Sequence, residues 1–294
     1  MKRLNVFLLL LLCLLFTELK CSSGIFYPLI RERKLKKSAP IQAHRGGGLD
    51  LPENTLETLI ATWEKGIVPE VDLRTTKDGV IILLHDKTVQ RVAPDAPDEL
   101  KTVPVEQLTY AELSNLDVGA YRDKPGERIP TLAAVFAFLA EHPSYLLFLD
   151  CKKVNLDQLV SLIKHYRVSK QVIFTSSNYA AIRRVKMKMP RLTTMLWINN
   201  IEKIKTVRRA KFKGLNFLQV HYIIQANDSP SFSEEELRQL NRELARRHVI
   251  FQVLVWDTDD PEVYRLLYKI GIKSIATDYP DIVLKIMREL DENE

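Results

Sequence analysis

The chain has 294 residues, 46% of them hydrophobic and 27% charged, with 10 Gly, 14 Pro and 3 Cys. That apolar content excludes wholesale disorder, and the counts exclude collagen-like, low-complexity and disulfide-dense classes. The net charge of +6 favours anionic partners, but no zinc-finger spacing, RNP signature or basic zipper is present, so nucleic acid is not an expected partner.

Met1-Lys2-Arg3 is a positive start, and Val6–Phe16 is an unbroken apolar run. The run is shorter than the roughly 20 residues of a membrane span and suits the apolar region of a signal peptide. Small residues for cleavage follow at Cys21, Ser22, Ser23 and Gly24. Residues 1–23 are therefore expected to be a signal peptide, placing the protein in a secreted or periplasmic compartment. Left uncleaved, they would be an N-terminal anchor that keeps it near a membrane. Residues 24–40 read as a linker carrying the basic run Arg31, Arg33, Lys34, Lys36 and Lys37. Cys13 and Cys21 fall within the leader, which leaves Cys151 and no expected intramolecular disulfide. Cys151 ends an apolar run and reads as packing.

From Ile41 onward, strand and helix patterns alternate. β-type runs occur at 41–43, 68–76, 80–84, 145–149, 171–175, 192–198, 215–220, 250–256 and 274–277. Helix-period segments lie at 54–65, 131–141, 156–166, 179–189, 201–211, 233–247 and 261–270. Ser233 and Glu236 have capping-box spacing, and Asp260-Pro261 supplies an N-cap with Pro at the first helical position. The alternation implies parallel strands joined by crossovers.

One connection cannot be a crossover. Only Lys77-Asp78-Gly79 separates the second and third runs, and parallel strands need a dozen linking residues, so these two form an antiparallel hairpin. Eight strands remain in the parallel set. That is the number in an α/β fold of the (β/α)₈ TIM-barrel type, here with a hairpin extension after the second strand. An open doubly wound sheet is the alternative, but no GxGxxG or P-loop supports it. Residues 86–128 are long and rich in Pro and acids. Leu100, Val103, Leu108, Leu113 and Leu116 supply apolar anchors, so they read as a small insertion over the barrel mouth.

The strand ends carry the polar residues: His44, Asp72, Asp150, Thr175, Trp197, His221, Trp256 and Asp278. In such a barrel the carboxyl ends of the strands form the rim where active sites sit. Glu70 and Asp72 share one face of a strand because side chains alternate. The hairpin folds His85 back beside them. Neighbouring carboxylates repel, and a bound divalent cation relieves that repulsion. Asp150 can supply a third carboxylate, with an ion pair to Lys152 as the simpler alternative. An all-oxygen site suits Mg²⁺ or Ca²⁺ better than Zn²⁺. The Gly46-Gly47-Gly48 run after His44-Arg45 lets backbone approach a ligand. Of the other histidines, His142, His165 and His248 read as structural, and His221 alone lies near a strand's carboxyl end.

The ordered set His44-Arg45-Gly46, Pro52-Glu53-Asn54-Thr55, Glu70-Val71-Asp72, Thr76-Lys77-Asp78-Gly79, His85-Asp86, Val255-Trp256 and Thr277-Asp278-Tyr279-Pro280 resembles the motifs of the glycerophosphodiester phosphodiesterase family. The resemblance runs from about Ile41 to Leu290. It implies a barrel over 41–290 and an insertion after His85-Asp86. It also implies metal-dependent hydrolysis of glycerophosphodiesters, its small-molecule substrates, to sn-glycerol 3-phosphate and an alcohol.

By position, the resemblance makes His44 and His85 the acid–base pair, and Glu70, Asp72 and Asp150 the ligands of Mg²⁺ or Ca²⁺. It puts Arg45 on the phosphate and Glu53 at the metal or behind the first histidine. Lys152 is placed at the substrate and Trp256 along its glycerol side. The chain departs from the family at Asp150-Cys151-Lys152, where Glu-x-Lys is usual. Two other readings compete. One is a phospholipase D-like phosphodiesterase acting on lysolipid or sphingolipid; the other is a catalytically silent binding protein on the same barrel.

Overall fold

A computed structural model of the chain describes residues 41–223, 231–272 and 274–292. The expected leader 1–23 and linker 24–40, with Cys13, Cys21 and the basic run 31–37, lie outside the described residues.

Eight parallel strands close into a barrel. They are β1 (Gln42–Ala43), β2 (Val68–Thr75), β4 (Leu147–Lys153), β5 (Val172–Ser176), β6 (Thr193–Ile198), β7 (Phe217–Tyr222), β8 (Ile250–Val255) and β9 (Ser274–Thr277). Each pairs with its neighbour in that order, and β1 closes the ring by pairing with both β9 and β2. The remaining strand, β3 (Ile81–Leu83), runs antiparallel to β2 with Leu73 opposite Leu83. The Thr76–Val80 turn forces this reversal, as the spacing required.

Helices follow the strands: α1 (Leu56–Glu64), α4 (Leu132–Glu141), α5 (Leu156–His165), α6 (Tyr179–Lys188), α7 (Ile204–Arg209), α8 (Glu234–Ala245), α9 (Pro261–Lys269) and α10 (Pro280–Glu292). Their starts are written in polar residues. Thr55, Asn155 and Asn178 cap α1, α5 and α6 with side-chain oxygens. Ser233 and Glu236 form the expected capping box at α8, and Asp260 caps α9 ahead of Pro261. Among the described residues, no helix is long and apolar enough to cross a membrane.

The main core lies between strands and helices and includes Leu59, Val71, Phe136, Leu149, Phe174, Val220, Leu240, Val253 and Tyr264, all buried. The indole of Trp63 on α1 stacks on Tyr145 and donates its N–H to the Leu146 carbonyl at 2.7 Å, which ties the first helix to the start of β4.

Two short helices, α2 (Asp98–Lys101) and α3 (Tyr110–Leu113), lie in the segment after β3. This segment has its own apolar cluster, with Val89, Val92, Val105, Leu108, Leu113 and Leu116 buried against Ile82 and Leu84. Leu100 and Val103 pack at its edge.

One strand end and one whole helix stand out against the sequence reading. The strand expected to end at Leu149 continues to Lys153, because Cys151 packs against the core and the Lys152 ammonium is paired with acids. Helix α10 adds a turn-and-helix closure that the pattern reading left out.

Candidate active site

The carboxyl ends of the strands surround a cavity of about 340 Å³. His44, Glu70, His85, Asp150, Lys152 and Trp256 all line it. Asp72 lies just beneath, fully buried. Most of the sequence-derived candidates therefore converge here from five separate stretches of chain, while Arg45 and Glu53 stand outside the lining.

The β2–β4 register places Asp72 beside Asp150, and Glu70 lies two residues back on the same face. Each of the three carboxylates can offer one oxygen such that the three lie within 4.8 Å of one another. Burial raises Glu70 well above the ordinary carboxyl range, and repulsion from Asp72 and Asp150 adds to it. Asp150 is raised as well, mainly by burial. At Asp72, burial is outweighed by Lys152, by both histidines and by the Asn54 amide, which together bring the carboxyl down to about 2.

Lys152 supplies the positive charge in this cluster. Its Nζ lies 2.6 Å from Asp150 Oδ2 and 3.0 Å from Asp72 Oδ1. Burial opposes the ammonium, but the three acids outweigh that and hold it protonated. The donor set fits a hard divalent cation: it is all-oxygen, buried and rich in negative charge. Asp72 Oδ1 accepts no well-aligned hydrogen bond from the described residues, which leaves an anionic lone pair facing Lys152.

Both histidines are backed by carboxylates. His44 Nδ1 is 2.7 Å from Asp278 Oδ1, a buried pair that joins β1 to the end of β9. His85 Nδ1 is 2.7 Å from Asp86 Oδ1. Arg74 donates twice to the His85 carbonyl and so fixes its backbone. Burial lowers the His85 imidazole below its ordinary value, against the pull of Asp72 and Asp86.

The loop after His44 is built for close approach. Arg45 takes a positive φ, and its N–H donates to Glu70 Oε2 at 2.8 Å. Its guanidinium reaches Glu53 at 3.1 Å and His85 Nε2 at 3.3 Å. Gly48 lies against the Asp278 carbonyl, where a Cβ would stand only 2.2 Å from that oxygen. Asn54 grips Asp72 from both sides: its amide donates to Oδ2 at 3.0 Å, and its oxygen accepts the Asp72 N–H at 2.9 Å.

Glu53 is buried but does not line the cavity; Arg45 and Arg91 hold its carboxylate. Trp256 packs edge-on to His44 with ring centroids 5.0 Å apart, and its indole N–H finds no acceptor among the described residues. Trp197 stacks on His221 at 4.7 Å and donates to Asp150 Oδ1 at 3.1 Å. His221 lines the same cavity. Burial, reinforced by His44, Lys152 and Lys203, lowers its imidazole to about 3.

The sequence reading assigned no role to Asn54, Asp86, Asp278, Arg91 or Trp197 individually. The first three stood inside quoted motifs. Trp197 was visible only as a strand-end residue, and Arg91 gave no local signal, because their partners are remote in sequence.

The model of the glycerophosphoryl diester phosphodiesterase family matches residues 44–282. The chain belongs to that family. A glycerophosphodiester phosphodiesterase of Caldanaerobacter subterraneus is 26% identical over 258 residues, covering 84% of this chain and 97% of that one. A glycerophosphoryl diester phosphodiesterase of Parabacteroides distasonis superposes with a TM-score of 0.70 at 24% identity, covering 86% of this chain and 87% of that one. A phosphodiesterase of Oleispira antarctica, solved with its product sn-glycerol-3-phosphate, superposes with a TM-score of 0.64 at 21% identity, covering 85% and 97%. The similarity to these solved structures agrees with the closed barrel of eight parallel strands.

Proposed function

We propose that the chain hydrolyses glycerophosphodiesters to sn-glycerol 3-phosphate and an alcohol. The observation that carries this is a single cavity that unites two carboxylate-backed histidines with a buried three-carboxylate cluster. Family membership names the reaction that such a cavity serves.

A phosphodiester is an anion that resists nucleophiles. Glu70, Asp72 and Asp150 would hold a divalent cation, Mg²⁺ or Ca²⁺. Such an ion would neutralise charge on the phosphoryl oxygens. Arg45 and Lys152 present fixed positive charge to the same group and stabilise the negative charge that grows in the transition state. Lys152 has a second task, since it offsets the acids from within the cluster. Asp150 is one methylene shorter than the usual Glu, and the Trp197 N–H and Lys152 hold it in place.

The two histidines divide the proton work. An imidazole suits either direction of transfer because its pKa lies near working pH. Asp278 and Asp86 each engage Nδ1, which leaves Nε2 of His44 for the reacting groups, while Nε2 of His85 is shared with the Arg45 guanidinium 3.3 Å away. One ring takes a proton from the attacking oxygen, and the other returns one to the leaving alkoxide. Trp256 and His44 form one wall, on the proposed glycerol side. Residues 1–23 acting as a signal peptide or anchor would deliver the enzyme to a secreted or membrane-proximal compartment.

The test is release of glycerol 3-phosphate from glycerophosphocholine and glycerophosphoethanolamine, with Mg²⁺, with Ca²⁺ and with EDTA. Turnover should stop in EDTA, and His44→Ala or His85→Ala should each lower kcat by about 10²- to 10⁴-fold. Turnover indifferent to EDTA or to either substitution overturns the reading.

A further inference from the structure

The segment after β3 does more than pack against that strand. Arg91 lies in it and spreads its planar guanidinium across two carboxylates. Its Nη1 and Nη2 donate to the two oxygens of Glu53, both at 2.7 Å. Its Nε donates to Asp86 Oδ2, also at 2.7 Å. Each carboxylate leads on to a residue proposed for the chemistry. The other oxygen of Asp86 meets His85 Nδ1. Glu53 Oε2 also accepts from Arg45, whose second amino group reaches His85 Nε2. The contacts close on themselves: Arg91 to Asp86, to His85, to Arg45, to Glu53 and back to Arg91.

The direction of these bonds fixes the imidazole. A guanidinium can only donate, so His85 Nε2 must accept from Arg45 and carries no proton. Nδ1 therefore bears the proton and donates it to Asp86. The ring holds His85 in one neutral tautomer, with its lone pair on Nε2. With His85 neutral, the two arginines and two acids balance. Arg suits this place and Lys does not, because a single ammonium cannot span both carboxylates in a planar fork.

We infer that Arg91 is a positioning residue for the hydrolysis. It does not line the cavity. It acts through Asp86 on the proton-transfer histidine and through Glu53 on the phosphate-facing arginine. The insertion thereby completes the catalytic apparatus, and Tyr121 of the same segment adds to its grip by accepting the Glu53 N–H at 3.0 Å. The inference rests on the roles given to His85 and Arg45 above.

Loss of Arg91 has a predictable sign. The ring then carries one net negative charge, which favours the imidazolium. The charged groups facing His85 are Asp72, Arg45, Asp86 and Lys152, and none of them is removed by the substitution. The His85 titration should therefore move to higher pH.

The experiment compares the full chain with Arg91→Ala and Arg91→Lys, by steady-state hydrolysis against pH and by ¹⁵N-resolved NMR of the histidine side chains. The His85 signals are assigned by their loss in His85→Ala. Arg91→Ala should lower kcat about 10- to 100-fold while KM changes less than about threefold. Its acidic limb in kcat/KM should shift upward, and the single Nδ1–H tautomer of His85 should become a mixture. Arg91→Lys should restore the limb but only part of kcat. A fall in kcat with the limb and tautomer unmoved would mean a merely structural role and overturns the inference, as does an unchanged kcat. If the parent chain turns over no glycerophosphodiester, the functional reading fails on its own, and the NMR comparison still decides whether Arg91 sets the imidazole.

Discussion

The Nζ of Lys152 stands 2.6 Å from Oδ2 of Asp150, inside the cluster that would receive a metal ion. The ammonium and a divalent cation thus answer the same excess of negative charge. Lys152→Ala should expose this. Removing one partner of a buried ion pair costs on the order of 3 kcal/mol, and the Lys152 side chain is only 23% exposed, so solvent softens that little. Urea unfolding in EDTA should show the loss, and millimolar Mg²⁺ or Ca²⁺ should restore a large part of it by binding only the folded cluster. An equal loss with and without the cation would dissociate Lys152 from the metal site.

Asp278→Asn tests the other histidine. The amide matches the carboxylate in shape but carries no charge, and it can present an N–H to His44 Nδ1. That would reverse the tautomer and put the proton on Nε2. We expect kcat to fall about 10²- to 10⁴-fold with the folded structure retained by circular dichroism. Activity within a few-fold of the parent would show that the His44–Asp278 contact is dispensable.

The sequence made the barrel legible because its constraints are local. Three residues between two strand patterns compel a hairpin whatever the rest of the chain does, and once that strand is set aside, eight remain. Strand ends identified His44, Asp72 and Asp150, and the hairpin register carried His85 to Glu70 and Asp72. What periodicity cannot supply is the identity of neighbours across the barrel. Trp197 reaches Asp150 from 47 positions away, and Arg91 reaches Glu53 from 38. His221 was visible as a strand-end residue, but its stack on Trp197 depends on strands β6 and β7 standing side by side. The continuation of β4 through Cys151 and Lys152 was hidden for a related reason: Asp150 and Lys152 end an apolar run in sequence, yet here the lysine is paired with Asp150 of its own strand and with Asp72 of β2.

His221 should leave a mark on stability. Its imidazole is held to about 3, against an ordinary 6.5, so the folded protein resists a proton that the unfolded chain accepts. Stability from this residue is intact above about pH 6.5 and is lost progressively as the pH falls toward 3. The unfolding free energy should drop by about 3 kcal/mol more between pH 7 and pH 4 in the parent than in His221→Phe, which keeps an aromatic ring in the stack. Parallel pH profiles for the two proteins would refute the assignment.

Gly48 and Gly79 allow backbone strain to be separated from contact with the site. Both take positive φ, +80° and +83°, so alanine is strained at either place. None of the described residues lies within 4 Å of a Cβ at Gly79, in the hairpin turn. At Gly48 a Cβ would meet the Asp278 carbonyl oxygen at 2.2 Å and Pro280 Cδ at 2.8 Å. Because Leu49 N–H also bonds that carbonyl, the backbone of Asp278 has to shift, and the carboxylate that orients His44 shifts with it. Gly79→Ala should cost about 1 kcal/mol with activity unchanged. Gly48→Ala should cost about 1–3 kcal/mol more from forced repacking and lower kcat more than tenfold. If the two variants lose stability equally and both keep full activity, the close approach at Gly48 does not position the His44–Asp278 pair.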